Sequence, residues 1–543
     1  MTACYFTLIF FVWSDPLCGD VLSVSINDRE VRFSPPAIVN SGSVFMEVGN
    51  LFNLLDTQVF WSPPHDAFVS TEAQNKVVFF PEARTLKIGS RTFYLEHAPV
   101  QVRDYTYVCV EDFSSVFAFA VSRKNSNVSL VGDFRLTSSN RRLPHYNIEA
   151  ILSQGKIFGH AQITYYNFGE LPEHSLFFSL PAASINPESQ IKVYSTAVDG
   201  DEVQFEAGET YLRVFLNGPL FPEESCTVDI SFDTYVPQSR SRLGQVGSSG
   251  LLSCWYPAVP LSSSVPVYSP FGEPYSFCAA TFEIELTVDP GTQVYGGLAK
   301  VEKTLRDDRI VYKFLSKEPI RDAAFVVGTF QTQSVQVDET TIYYISNGHT
   351  PGVLNTAVQA FNYFEACFGE YPYETLTLAD LPLEEFYGME YGGLLILSTI
   401  NKPDTMTVVH EISHQWWYGL VGSDQEKEAW IDEGLANFST MLFFEEKNGR
   451  GAYADLLRSL KNRANGYGGP EAIPLHKYPS KENYRADAYA RGALFWDGVR
   501  SELGRKETIA FLREIQEVYR HGIVSSDDIL RYLNQKYPGQ FEY

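Results

Sequence analysis

Three things are scarce in this 543-residue sequence: paired cysteines, long apolar runs and positive charge. The seven cysteines, at 4, 18, 109, 226, 254, 278 and 367, form no C-x-x-C pair and no regular ladder, which argues against a zinc ribbon or a disulfide-built scaffold. Cys254 and Cys278 could pair, and the odd count leaves at least one thiol free. After the first residues, no segment approaches the ~20 apolar residues of a membrane helix. Only 42 basic residues face 66 acidic ones, a formal charge of -24 that repels phosphate backbones and anionic lipid surfaces and weighs against nucleic acid as a partner.

What remains is the composition of a folded, β-containing protein. A hydrophobic content of 44% with 38 glycines and 29 prolines lies away from disordered and collagen-like chains. At roughly 100 to 200 residues per domain, about three domains are expected. The opening stretch "TACYFTLIFFVWSDPLCGD" holds an apolar run of signal-core length, although no Lys or Arg precedes it. Residues 1–20 therefore read as a signal segment, and the protein as secreted or held at a bacterial type of cell surface.

From Val21 to about Gly132, short alternating apolar runs such as "VLSVSINDREVRF" and "LKIGSRTFYLE" predict strands broken by turns. An internal repeat at an offset of 62 pairs Ile38 with Val100, Val48 with Val110, Leu51 with Phe113 and Val59 with Val121. A Pro-rich strand, then "VFMEVGNLFNLL", then "QVFW" resembles the copper amine oxidase N-terminal-like domain, over residues 21–135. That resemblance implies a β-rich module with a cell-wall or surface ligand, although the sequence shows no copper-ligand cluster. After a polar linker at 137–146, strand patterns resume to about Val335, predicting a β-sandwich or saddle over 143–345. Its Ser/Gly/Pro-rich stretch from Val236 to Pro266 reads as a surface excursion. Beyond His349 the period turns helical, and 346–543 forms a third region.

Chemistry concentrates in "VVHEISHQWW", residues 408–417. On a helix, His410 and His414 project from one face and can aim at one ion, with Glu411 on the adjacent flank. The bland reading is a core helix whose Val408, Val409, Ile412 and Trp416 face inward. A catalytic zinc takes three protein ligands and leaves one position open, so a third ligand is needed. "EAWIDEGLANFSTMLFFEEKNG" supplies Glu433, 19 positions after His414, on a second helix where the small residues Gly434 and Ala436 allow close approach to the first. The combined pattern arises by chance in roughly one such chain in a thousand.

H-E-x-x-H followed by the Glu of "WIDEGLANF" resembles the gluzincin zinc peptidases of the aminopeptidase N family. The family's G-A-M-E-N segment has its counterpart in "YGMEYGGLLIL", which implies substrate binding by Gly388, Met389 and Glu390, with Glu390 on the free α-amino group. Tyr387, Gly388 and Tyr391 depart from the common form. The family's Y-x-K-G-A is matched by "YARGA" (489–493), which implies Tyr489 as the oxyanion stabiliser. The resemblance spans about 143–543 and implies a β domain followed by an α+β, thermolysin-like catalytic domain holding one Zn2+ per chain through His410, His414 and Glu433. Glu411 would act as general base on peptides with a free N-terminus. The helical C-terminal domain of many members has no counterpart before the last residue, which implies a more open cleft. An endopeptidase with the same zinc, and a cell-surface binding protein on an inactive peptidase scaffold, are the alternative readings.

Overall fold

The computed structural model describes residues 22–541 apart from short segments, among them 71–76, 137–142, 262–268 and 465–469. The signal segment expected in residues 1–20, and most of the linker, lie outside the described residues. The chain is multidomain and divides into two compact units, residues 1–141 and 142–543.

The first unit is β-rich, and its architecture contains the repeat. Strands Ile38–Asn40 and Ser43–Glu47 and helix Val48–Leu54 recur, 62 residues on, as strands Val100–Val102 and Tyr105–Cys109 and helix Val110–Ser114. The two copies of the second strand pair antiparallel about Met46 and Val108, with Phe45 opposite Cys109 and Glu47 opposite Tyr107. This is the register of a local two-fold axis. Val48, Val110, Leu51 and Phe113 are all buried in one core. A five-stranded meander, Val59–Ser62 to Arg91–Tyr94, is inserted between the copies.

The second unit begins with an eight-stranded sheet whose strands bury alternate residues, as His145–Ser153 and Thr281–Val288 show. A three-stranded and a four-stranded sheet accompany it. The four-stranded sheet corrects one expectation. The Ser/Gly/Pro-rich stretch is no surface excursion, because strands Leu243–Val246 and Ser249–Leu252 pair within it, and Arg242, Leu252, Ser253 and Trp255 are buried. Its apolar residues outweigh its turn-forming composition once Phe325–Gly328 pairs alongside.

A five-stranded mixed sheet carries the site. Its order is Gln331–Val337, Thr340–Ser346, Thr375–Leu381, Leu394–Ser398 and, at the edge, Gly388–Tyr391. The sheet therefore starts at residue 331, inside the stretch whose period reads as β domain. Helix Val353–Phe368 connects the strands Thr340–Ser346 and Thr375–Leu381, and helices Thr405–Ser413, Trp430–Asn448, Gly492–Leu503, Arg505–Tyr519 and Ser526–Lys536 follow the sheet. One core runs through the unit, from Tyr146 and Ile148 in the large sheet to Ile412, Trp416 and Leu435 around the site. Among the described residues no helix is long and apolar enough to cross a membrane, and Cys254 and Cys278 are not joined by a disulfide.

Candidate metal centre

Helix Thr405–Ser413 starts where the Asp404 side chain accepts from the Thr407 amide at 2.9 Å. Val408, Val409 and Ile412 pack inward, and the helix ends with His414, still in helical conformation, whose amide bonds back to the His410 carbonyl. The two histidines thus keep their i, i+4 relation. The second helix, Trp430–Asn448, is stopped by Gly449 at φ +84°. It crosses the first where the Ser413 hydroxyl donates to the Ala436 carbonyl at 3.3 Å.

The crossing brings three donor atoms together. His410 Nε2 lies 3.0 Å from His414 Nε2 and 3.2 Å from Glu433 Oε2, and His414 Nε2 lies 3.5 Å from that oxygen. The circle through the three atoms has a radius of about 1.9 Å, so an ion slightly off their plane meets all three at the ~2.0–2.1 Å of zinc bonds to nitrogen and carboxylate oxygen. His414 Nδ1 faces the Trp417 carbonyl at 2.9 Å. A carbonyl only accepts, so the proton sits on Nδ1 and the Nε2 lone pair is left for a metal. All three side chains are withdrawn from solvent, and they fit a hydrolytic zinc.

The electrostatics agree with the crowding of charge. Burial works to raise the Glu433 carboxyl, but its bonds to His410 and His414 hold it at about 2. Burial also pulls His410 down, whereas Glu390, Glu433 and Glu411 hold His414 well above its ordinary value. Glu411 is pushed well up, first by burial and then by the charge of Glu390. Glu390 itself is raised to about 7 by its burial.

Glu390, Glu411 and His414 form a second group of converging donors. Glu411 reaches over Gly388, where an added Cβ would come within 2.6 Å of the Glu411 carboxyl carbon. Met389, the third expected substrate-binding residue, instead points into the core on the other face of the sheet. The hairpin carrying Glu390 turns at Gly392 and Gly393, the latter at φ +66°. It is tied to the histidine helix by buried Gln415, which donates to the Tyr391 carbonyl at 3.0 Å and accepts from the Gly393 amide at 2.9 Å.

Tyr489 sits in a π-helical turn, Arg485–Arg491, a local widening that re-aims side chains. Its ring stacks on His410, 5.9 Å between centroids, and after burial it is the charge of Glu433 that keeps the phenol protonated. Tyr484 lies behind it, edge to face, with its hydroxyl buried against Gly272. Here the sequence expectation needs correcting. Gly434 does not face the histidine helix. An added Cβ would meet the Gly492 backbone at 2.7 Å, and one on Gly492 would meet the Trp430 carbonyl at 2.7 Å. The paired glycines bring in the "YARGA" turn, and with it Tyr489, while Ala436 serves the histidine helix.

Two charged residues at the site carry no local sequence signal. Arg242 and Glu273 are buried, with Arg242 Nη1 3.5 Å from Glu273 Oε1. Burial and then the charge of Glu390 push the Glu273 carboxyl well up. Elsewhere among the described residues, His97, Cys109 and Asp112 also converge. Asp112 accepts from the His97 amide at 2.8 Å, and Asn50 donates to the Pro35 carbonyl at 3.1 Å at the corresponding positions of the other repeat copy. That contact belongs to the duplicated fold.

Comparison with known proteins points the same way as the geometry. Residues 353–540 match the peptidase family M1 domain. Over that segment the chain is similar to an M1 peptidase domain. Residues 25–131 match the copper amine oxidase N-terminal domain. The M1-matched segment contains His410, Glu411, His414, Glu433 and Glu390, whereas Arg242 and Glu273 lie outside it. Aminopeptidase N of Oryctolagus cuniculus is 33% identical over 108 residues, 17% of this chain and 11% of that protein. Leucyl aminopeptidase of Saccharolobus solfataricus is 22% identical over 273 residues, 46% of this chain and 33% of that protein. The chain thus spans between about a tenth and a third of the curated relatives it matches. An M1 zinc metallopeptidase from Deinococcus radiodurans shares the fold, with a TM-score of 0.59 at 18% identity over 75% of this chain and 93% of that one.

Proposed function

We propose that the M1 unit is a zinc aminopeptidase that removes residues one at a time from peptides with a free N-terminus. The observation carrying this reading is the convergence of His410, His414 and Glu433 on one point, with Glu411 and Glu390 beside it. One zinc per chain, held by those three residues, would polarise the scissile carbonyl and acidify water. Glu411, beside the three ligands but not one of them, accepts the proton of the attacking water and delivers it to the leaving amine. Tyr489 donates its hydroxyl to the oxygen that gains negative charge. Glu390 holds the substrate's ammonium group, and that contact sets the register of cleavage. Gly388 contributes by leaving room for the base. The copper amine oxidase N-terminal-like unit would bind a cell-wall or surface ligand outside the cell, a placement that rests on the sequence of residues 1–20 alone.

The test is a panel of free and N-acetylated aminoacyl reporters, assayed with and without a chelator. The expected result is cleavage of free substrates only, abolished by chelation. Equal rates on free and acetylated peptides would instead show an endopeptidase, and metal binding without turnover would show a binding protein.

A further inference from the structure

Arg242 enters the interior beside the proposed ammonium clamp with one edge of its guanidinium unused. It immediately precedes strand Leu243–Val246, and its carbonyl accepts from the Ser253 hydroxyl at 2.7 Å, which fixes its backbone. The side chain is 1% exposed. Nη1 donates to the Gly272 carbonyl at 2.8 Å, and the guanidinium lies over the Phe386 ring, 4.8 Å from its centroid. Nε and Nη2 are buried and have no partner among the described residues. Those two nitrogens form the edge with which arginine grips a carboxylate through two parallel hydrogen bonds. A desolvated cationic edge of this kind is unfavourable unless something meets it.

The surroundings indicate what meets it. Arg242's charge bears on Glu390, whose Oε1 is also buried and unpartnered. Glu273 occupies only the Nη1 end and leaves the Nε–Nη2 edge open. Lys481 places a second cation over the Phe386 ring, 5.4 Å from its centroid. An N-terminal amino acid offers an ammonium group and, a few bonds away, its side chain. With the ammonium on Glu390, the side chain is the part that can reach Arg242.

Building on the aminopeptidase reading, we infer that Arg242 makes the site selective for substrates whose N-terminal residue carries a side-chain carboxylate, glutamate or aspartate, which closes the open guanidinium edge. The isosteric amides offer the same shape without the charge. Acidic reporters should therefore be cleaved with a kcat/KM about ten- to a hundredfold above that of their glutamine and asparagine counterparts.

The experiment measures kcat/KM of zinc-loaded full-length protein on Glu, Gln, Asp, Asn, Ala and Lys reporters, for wild type, Arg242→Gln and Arg242→Lys. The acid-to-amide ratio should fall to near one in Arg242→Gln and lie between in Arg242→Lys, which keeps the charge and loses the fork. Amides cleaved as well as acids by the wild type, or an undiminished ratio in Arg242→Gln, would overturn the inference. Should Arg242→Gln fail to fold, calorimetry on wild type decides: L-glutamate or L-aspartate must bind more tightly than its amide. Absence of turnover on every reporter would count against the aminopeptidase reading itself, and the calorimetric comparison would still decide the role of Arg242.

Discussion

Replacing Gln415 by alanine separates scaffold from chemistry, because this side chain touches no reacting group yet joins two elements that carry them. Its amide donates to the Tyr391 carbonyl, while its oxygen accepts from the Gly393 amide and, at 3.1 Å, from the Tyr371 hydroxyl. All of these groups are buried, so truncation takes a partner from the carbonyl and the N–H and leaves the phenol only its 3.5 Å bond to the Thr375 carbonyl. Each orphaned buried group costs ~1–3 kcal/mol, and water admitted to the vacated space recovers part of it. The expected loss is about 2–4 kcal/mol of unfolding free energy for the second unit, read by denaturant titration of its tryptophans. Freed from the histidine helix, the hairpin should hold Glu390 less well. KM for free peptides should then rise more than kcat falls. Gln415→Glu should be similarly impaired, since a carboxylate cannot donate to the Tyr391 carbonyl. A Gln415→Ala protein with wild-type stability and KM would refute the clamp.

Glu411→Gln should retain zinc and fold while turnover falls by ~10² to 10⁴, as measured by steady-state kinetics alongside metal analysis; near wild-type activity would remove Glu411 from its role. Tyr489→Phe should lower kcat by ~10² to 10³ with little change in KM, whereas Tyr484→Phe should be mild because its hydroxyl has no partner among the described residues to lose. A large defect at 484 with none at 489 would reverse the assignment. Gly434→Ala should cost about 1–3 kcal/mol or more in thermal or chemical unfolding, because its Cβ meets the Gly492 backbone rather than a side chain that can swing away. Unchanged stability would show that the helices are not packed so closely.

The parts of the fold legible in the sequence are those that repeat or recur at fixed spacing. The offset of 62 between Val48 and Val110 reappears as two equivalent helices, because each copy must bury the same apolar positions. The i, i+4 histidines and Glu433 converge because helix geometry and one crossing suffice to bring them together. Spacing could not say which side of a helix a small residue serves, so Gly434 reads as a histidine-helix contact when it packs on Gly492. Composition misread the Ser/Gly/Pro-rich stretch, whose strands are stabilised by a partner more than 70 residues away. Arg242, Glu273 and Gln415 are invisible locally because their roles exist only once distant segments meet.

Elemental analysis of purified protein, paired with the double substitution His410→Ala, His414→Ala, tests the metal centre most directly. Wild type should carry one zinc per chain and lose activity when a chelator removes it, and the double variant should fold yet bind none. Full zinc occupancy persisting in the double variant would place the metal elsewhere and contradict the assignment of His410, His414 and Glu433.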